Sequence, residues 1–264
     1  MLIDTHAHLA SPKFKGDVDE IIKNAADAGV DRIIAIACDL EDSPVNIELA
    51  EKYPGTVYAT VGIHPCYAHE IATDDYISIL RKLSTHEKVV AIGEIGLDYY
   101  HAPPTGFTGE TWRTRQAEVF RAQLDLAVKV DLPVVVHQRD SNADTMAILN
   151  EYRGTSLRAV LHCFTYDIDH AKRAFDLGHL VSFTGVVTYP KAQDVQEMAA
   201  LVDGNKFMVE TDCPYLTPVP RRGKRCEPAD TKHTAMHLAK LRGVDFESLA
   251  SETTQTAEAF FKID

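Results

Sequence analysis

Two histidines one residue apart open the chain, in Met1-Leu-Ile-Asp-Thr-His-Ala-His-Leu9. In a strand, positions i and i+2 share a face, so His6 and His8 project side by side with Asp4 one step below. Two imidazoles at one strand end can grip a metal ion, although a strand carrying two histidines by chance reads the same way. The pair gains weight from the other strand ends. Gly62-Ile-His64-Pro65, Gly93-Glu94, His137, His162 and Glu210-Thr-Asp212 each close or follow a β-branched apolar run. Imidazole and carboxylate are ordinary partners of divalent transition ions. The seven candidates, His6, His8, His64, Glu94, His137, His162 and Asp212, are too many for one tetrahedral site and suit two ions sharing a carboxylate. Two ions ~3.5–4 Å apart clamp the attacking and leaving oxygens of a displacement and acidify bound water, so hydrolysis is the expected chemistry.

A scaffold must bring six strand ends to one place. Eight β-branched runs, at 2–8, 32–37, 57–62, 89–94, 134–137, 159–163, 180–183 and 207–210, alternate with segments of helical period. The helical segments are 17–28, 41–52, 74–84, 111–131, 140–152, 168–177 and 193–202, with two more at 231–242 and 246–261. Val89-Val-Ala-Ile and Pro133-Val-Val-Val are apolar without alternation, as parallel strands covered on both faces are. Eight such units predict an α/β fold, a single (β/α)8 TIM barrel over 1–264, with its active site at the C-terminal strand ends. A doubly wound open sheet would place a glycine-rich loop after the first strand, where His-Ala-His stands. No linker or low-complexity tract divides the chain.

The formal net charge is −12, so no global positive field exists to coat polyanions. A local basic loop or metal ions can still hold phosphate. No apolar run is long enough to span a bilayer and no secretory leader is seen, so no membrane association is expected. The five cysteines are odd in number and lack Cys-x-x-Cys pairing, which suits reduced thiols and a cytoplasmic location.

Taken in order, the blocks above and their extensions carry a resemblance. Met1-Leu-Ile-Asp-Thr-His-Ala-His, Gly62-Ile-His-Pro, Gly93-Glu-Ile-Gly-Leu-Asp-Tyr-Tyr, Val136-His-Gln-Arg-Asp, Leu161-His-Cys-Phe-Thr and Glu210-Thr-Asp-Cys-Pro-Tyr-Leu resemble the TatD family of metal-dependent deoxyribonucleases, nearest its bacterial YcfH-like branch. The resemblance runs from first strand to last helix. It implies a TIM barrel of the metallo-dependent hydrolase type and a first ion on His6, His8, Glu94 and Asp212. It implies a second on Glu94, His137 and His162, with Glu94 as bridge and His64 near the scissile phosphate or leaving oxygen. It further implies hydrolysis of DNA, including 3′-to-5′ exonuclease action on single-stranded ends, usually supported by magnesium. Imidazoles suit zinc or manganese better than magnesium, so the identity of the ions (Mg, Mn or Zn) stays open. Many related binuclear amidohydrolases bridge with a carboxylated lysine; Glu94 has no lysine beside it. The chain departs from the family at Cys226 and Thr256, where asparagine is usual, and substrate positioning is where a consequence is expected.

The expected mechanism has Asp212 orienting water and accepting its proton, while His64 donates to the phosphate or leaving oxygen; His64-Pro65 equally serves to shape a strand exit. Glu210 and Asp4 are expected to steady ligands from behind. Arg139 and the run Arg221-Arg222-Gly-Lys-Arg225 are candidates for phosphate contact, against the ordinary solvated role of such runs. Tyr99 and Tyr100 open a Pro/Gly-rich loop over 98–111 and can stack on bases or wedge the loop against the rim. Catalytic roles thus fall on Asp212, His64 and Glu94. No obligate protein partner is indicated. A binuclear hydrolase of a small ester, amide or aminoacyl ester is the alternative function, and a non-catalytic metal-stabilised scaffold a third.

Overall fold

The computed structural model describes residues 1–71 and 75–263. Its strands are β1 (Leu2–Ala7), β2 (Val30–Ala35), β3 (Val57–Val61), β4 (Val89–Asp98), β5 (Val134–Arg139), β6 (Ala159–Leu161), β7 (Leu180–Phe183) and β8 (Phe207–Val209). They form one sheet in sequence order, each parallel to the next. The seam between β8 and β1 is closed just past β8. The Asp212 N–H donates to the His6 carbonyl and the His8 N–H to that of Cys213, both at 2.9 Å. The expected TIM barrel is present.

The helices are α1 (Val18–Ala28), α2 (Asp42–Lys52), α3 (Tyr76–Leu83), α4 (Gly109–Val130), α5 (Asn142–Glu151), α6 (Ile168–Asp176), α7 (Gln193–Leu201), α8 (Thr231–Arg242) and α9 (Phe246–Phe261). The third was expected from Asp74, which lies outside the described residues. α1 stops at Gly29, whose φ of 84° is the left-handed geometry that glycine tolerates. α4 starts in a reciprocal Thr108–Thr111 capping box.

One cluster gathers Ile3, Ile34, Val90, Val135, Val160 and Met208 from six different strands. Only the barrel interior is shared by all six, and five of them, Ile3, Val90, Val135, Val160 and Met208, are each the second residue of their strand. Phe260 and Phe261 join them, so α9 closes the interior at the end opposite the C-terminal strand ends.

The largest departure from expectation is β4, which runs to Asp98 rather than Glu94. The β4–β5 register shifts between Ile92 and Ile95, a bulge that re-aims side chains. Gly96 has φ 138°, and a β-carbon there would run into the His137 carbonyl. Only glycine lets β4 continue beside β5, and that continuation delivers Asp98 to His137.

Candidate metal centre

Glu94 is buried at the middle of the C-terminal strand ends, and its two oxygens face different neighbours. Oε2 lies 3.3 Å from His6 Nε2 and 3.6 Å from His8 Nε2. Asp212 Oδ1 completes that side, 3.2 Å from His8 Nε2 and 3.6 Å from His6 Nε2. Oε1 lies 2.7 Å from His162 Nε2 and 2.8 Å from His137 Nδ1, with His64 Nε2 at 3.7 Å. Ligand atoms around one transition ion stand roughly 3.0–3.4 Å apart, from bond lengths near 2.1 Å. The donor set fits such ions: four imidazole nitrogens converge in pairs at 3.3 Å, His6 with His8 and His137 with His162, around carboxylate oxygens. The His6 and His162 rings stack at 4.1 Å between the two sides.

The charges are mutually supporting. Burial opposes ionisation of Glu94, but the imidazoles around it, His162 first and His137 by its hydrogen bond, outweigh it and hold its carboxyl well below the usual range. Asp212 is likewise lowered against the effect of burial by His8 and His6. Its φ of 63° is left-handed, an uncommon conformation for a non-glycine residue and one that recurs at functional sites. The seam hydrogen bond to His6 fixes it.

Several of the candidate ligands have a partner behind them. Burial disfavours charge on His137, yet hydrogen bonds to Asp98 and Glu94 raise its pKa. Asp98 Oδ2 lies 3.1 Å from His137 Nε2, so His137 presents Nδ1 inward. Asp98 Oδ1 accepts the N–H groups of Tyr100 and His101 at 3.0 and 2.9 Å. Glu210 Oε1 accepts the Cys163 N–H at 2.7 Å and stands 3.6 Å from His162 Nδ1. Asp4 turns to the seam instead. Its oxygens accept the Thr211 N–H at 2.9 Å and hydroxyl at 2.7 Å, and burial pushes its pKa up to about 8. It steadies His6 only through the backbone, by a 3.3 Å contact with the His6 N–H.

His64 Nδ1 accepts the Cys66 N–H at 3.1 Å, which puts the ring proton on Nε2, the atom aimed at the centre. Burial and His137 bring its pKa down to about 3. His64 is therefore a neutral hydrogen-bond donor and not an imidazolium acid titrating near neutrality.

Sequence reasoning missed two residues. Asp98 shares a strand face with Glu94 at i+4, a signal hidden by ending the strand at Glu94. Cys38, just past β2, places Sγ 3.4 Å from His8 Nδ1, so the second strand end is not empty. At the rim, the Tyr99 hydroxyl donates to Asp144 at 2.7 Å, and Tyr99 is thereby a wedge. Tyr100 is exposed beneath Arg139, whose guanidinium carbon is 3.6 Å from the ring centre. Tyr215 is exposed with Lys13 Nζ 4.3 Å over it. Among the described residues these two are the exposed Tyr, Phe or Trp rings. The basic run is less free than its sequence suggests. Arg221 pairs with Glu227 at 2.9 Å and Asp230 at 3.1 Å, Arg225 with Asp17 at 2.7 Å, and Arg222 covers Tyr189 at 3.9 Å. Cys226 is buried in the same loop. Thr256 is not near the site: it lines an open 460 Å³ cavity with Arg158, Leu180 and Asn205, by the strand starts.

A closed parallel barrel with imidazole and carboxylate donors gathered at its C-terminal strand ends has the makings of a metal-dependent hydrolase. The family model described as TatD related DNase matches residues 3–262, and the chain belongs to that family. It is 38% identical to the uncharacterized metal-dependent hydrolase YabD of Bacillus subtilis, over 100% of both chains. It is 32% identical to the 3′-5′ ssDNA/RNA exonuclease TatD of Pantoea vagans, over 99% of this chain and 100% of that one. The solved structure of YJJV, a TatD homolog from Escherichia coli K12, superposes with a TM-score of 0.89 at 29% identity, covering 100% of this chain and 98% of that one. The chain is a metal-dependent hydrolase of the TatD family. Among the described residues, no helix is long and apolar enough to cross a membrane.

Proposed function

We propose that this hydrolase cleaves DNA phosphodiester bonds, releasing nucleotides from the 3′ ends of single strands, at a centre of two divalent ions. The observation that carries the reading is the division of Glu94, with one oxygen in each donor set. His6, His8, Asp212 and Oε2 of Glu94 would hold one ion; His137, His162 and Oε1 would hold the other. When bound, the ions supply Lewis-acid polarisation of the phosphate and a lowered pKa for water.

The chain's own residues do the rest. Asp212, ionised and fixed by the barrel seam, orients the attacking water and accepts its proton. His64 donates its Nε2–H to a phosphate oxygen without changing its own charge, a preorganised donor aimed where charge develops. Asp98 and Glu210 keep His137 and His162 in the right orientation. At the rim, Tyr100 under Arg139 and Tyr215 under Lys13 offer ring faces for unpaired bases beside cations for the backbone. The name of the Pantoea vagans relative supports this choice of polymer and end.

The test compares wild type with the Tyr100→Ala, Tyr215→Ala double variant on two substrates: a labelled single strand and bis(p-nitrophenyl) phosphate. Stacking contributes about 1–3 kcal/mol per base. KM for the strand should therefore rise at least about tenfold while hydrolysis of the small diester is unchanged. Equal loss on both substrates, or failure of the wild type to shorten strands from the 3′ end, contradicts the proposal.

A further inference from the structure

Beside the centre, outside the two donor sets, lies a third convergence of ligand atoms. Cys66 follows His64-Pro65 in the short turn after β3, Asp98 ends β4, and His101 opens the loop beyond it. One donor atom from each lies within 4.8 Å of the other two. Cys66 Sγ is 3.7 Å from His101 Nδ1, and Asp98 Oδ2 is 2.8 Å from the same nitrogen. A relay would use the two ring nitrogens separately, one for the thiol and one for the carboxylate. Here both address Nδ1, which has one proton for two partners. That convergence also suits the ligands of a shared cation.

The dimensions suit a thiophilic ion. A tetrahedral zinc with bonds near 2.3 Å to sulfur and 2.1 Å to nitrogen sets those atoms roughly 3.6 Å apart, against 3.7 Å here. The Asp98–His101 pair, closer because it is hydrogen-bonded, would open by roughly half an ångström. The carboxylates of Asp98 and Glu94 give Cys66 negative surroundings that favour a dication. Asp98 is buried, whereas the His101 side chain is 55% exposed and leaves an entrance.

We infer that Cys66, Asp98 and His101 form a third, weaker metal site that takes zinc and couples to the catalytic centre through Asp98. On binding, Cys66 releases its thiol proton to solvent and His101 ligates through Nδ1 with its proton on Nε2. The coupling atom is Asp98 Oδ2, which also faces His137 Nε2 at 3.1 Å. An ion on that oxygen weakens its hold on His137, so excess zinc inhibits. The inhibitory half rests on the function proposed above; the binding half does not.

Cobalt(II) is the probe for binding, because thiolate ligation gives it a near-ultraviolet charge-transfer band. Titration of the whole protein should develop that band after the tighter sites fill. Cys66→Ser should abolish it and His101→Ala should weaken it strongly, while Cys38→Ser, which alters the thiol beside His8, retains it. No band at saturating cobalt, or a band lost in Cys38→Ser and kept in Cys66→Ser, overturns the site. Excess zinc should lower wild-type hydrolysis of bis(p-nitrophenyl) phosphate about tenfold or more and leave Cys66→Ser much less affected. Equal inhibition of both overturns the coupling. Loss of strand cleavage with the band intact would fault the DNA reading and not the site.

Discussion

Asp98 shows how much a single side chain outside the donor sets controls. It takes four contacts: two backbone N–H groups, His101, and His137 on the side of the ring away from Glu94. Partners of this kind fix ring orientation, and their removal typically costs about 10–100-fold in metal affinity or activity. Asp98→Asn should therefore lower kcat/KM by about that factor and weaken the second ion selectively, with an unchanged far-ultraviolet circular dichroism spectrum. Loss of both ions together, or no kinetic change, would count against its assigned role. The histidines were legible from sequence because each lies at or just past the end of an apolar strand run. Asp98 was not, because its strand bulges and its partner is two loops away. The inward aim of His64 was legible as well, but its charge state was not: neutrality depends on burial and on His137, neither of which a one-dimensional pattern places.

At the scale of elements, the strand–helix alternation fixed which eight segments form the barrel, since apolar runs and 3.6-residue periods reflect burial directly. Strand lengths were less legible. β6 and β8 stop short of His162 and Asp212, and their continuation as irregular backbone is held by particular bonds such as Asp212 N–H to His6. The basic loop after β8 was partly legible for a related reason. Composition reports its charge, whereas the pairing of Arg221 with Glu227 and Asp230 and of Arg225 with Asp17 comes from the fold. α9 has a role of its own, closing the barrel floor with Phe260 and Phe261. Truncating a buried phenylalanine costs about 3–5 kcal/mol. Phe260→Ala should lower the unfolding free energy measured in urea by an amount in that range and leave kcat nearly unchanged, because the floor is remote from the site. A large kcat loss at full folding would show that the two ends of the barrel are coupled.

For the whole molecule, the fold constrains pH behaviour as well as chemistry. His179, at the entry to β7, is 3% exposed and neither ring nitrogen has a hydrogen-bond partner. Burial lowers its pKa from the ordinary 6.5 to about 4. The unfolded chain thus binds more protons below 6.5, and stability falls as pH drops from 6.5 through 4. Between about pH 7 and about pH 5 the wild type should lose about 2 kcal/mol more than His179→Leu by urea denaturation. Equal slopes would show that His179 keeps its ordinary basicity in the fold. The claim on which the functional account stands is the shared Glu94. Metal analysis of purified protein, paired with a 3′-end-labelled single-strand assay across magnesium, manganese and zinc, tests it most directly. The wild type should carry two tightly held ions per chain at full activity. Glu94→Gln should lose both occupancy and cleavage while the barrel stays folded. Full activity with a single ion, or a Glu94→Gln chain that retains two ions and cleaves normally, would contradict the account.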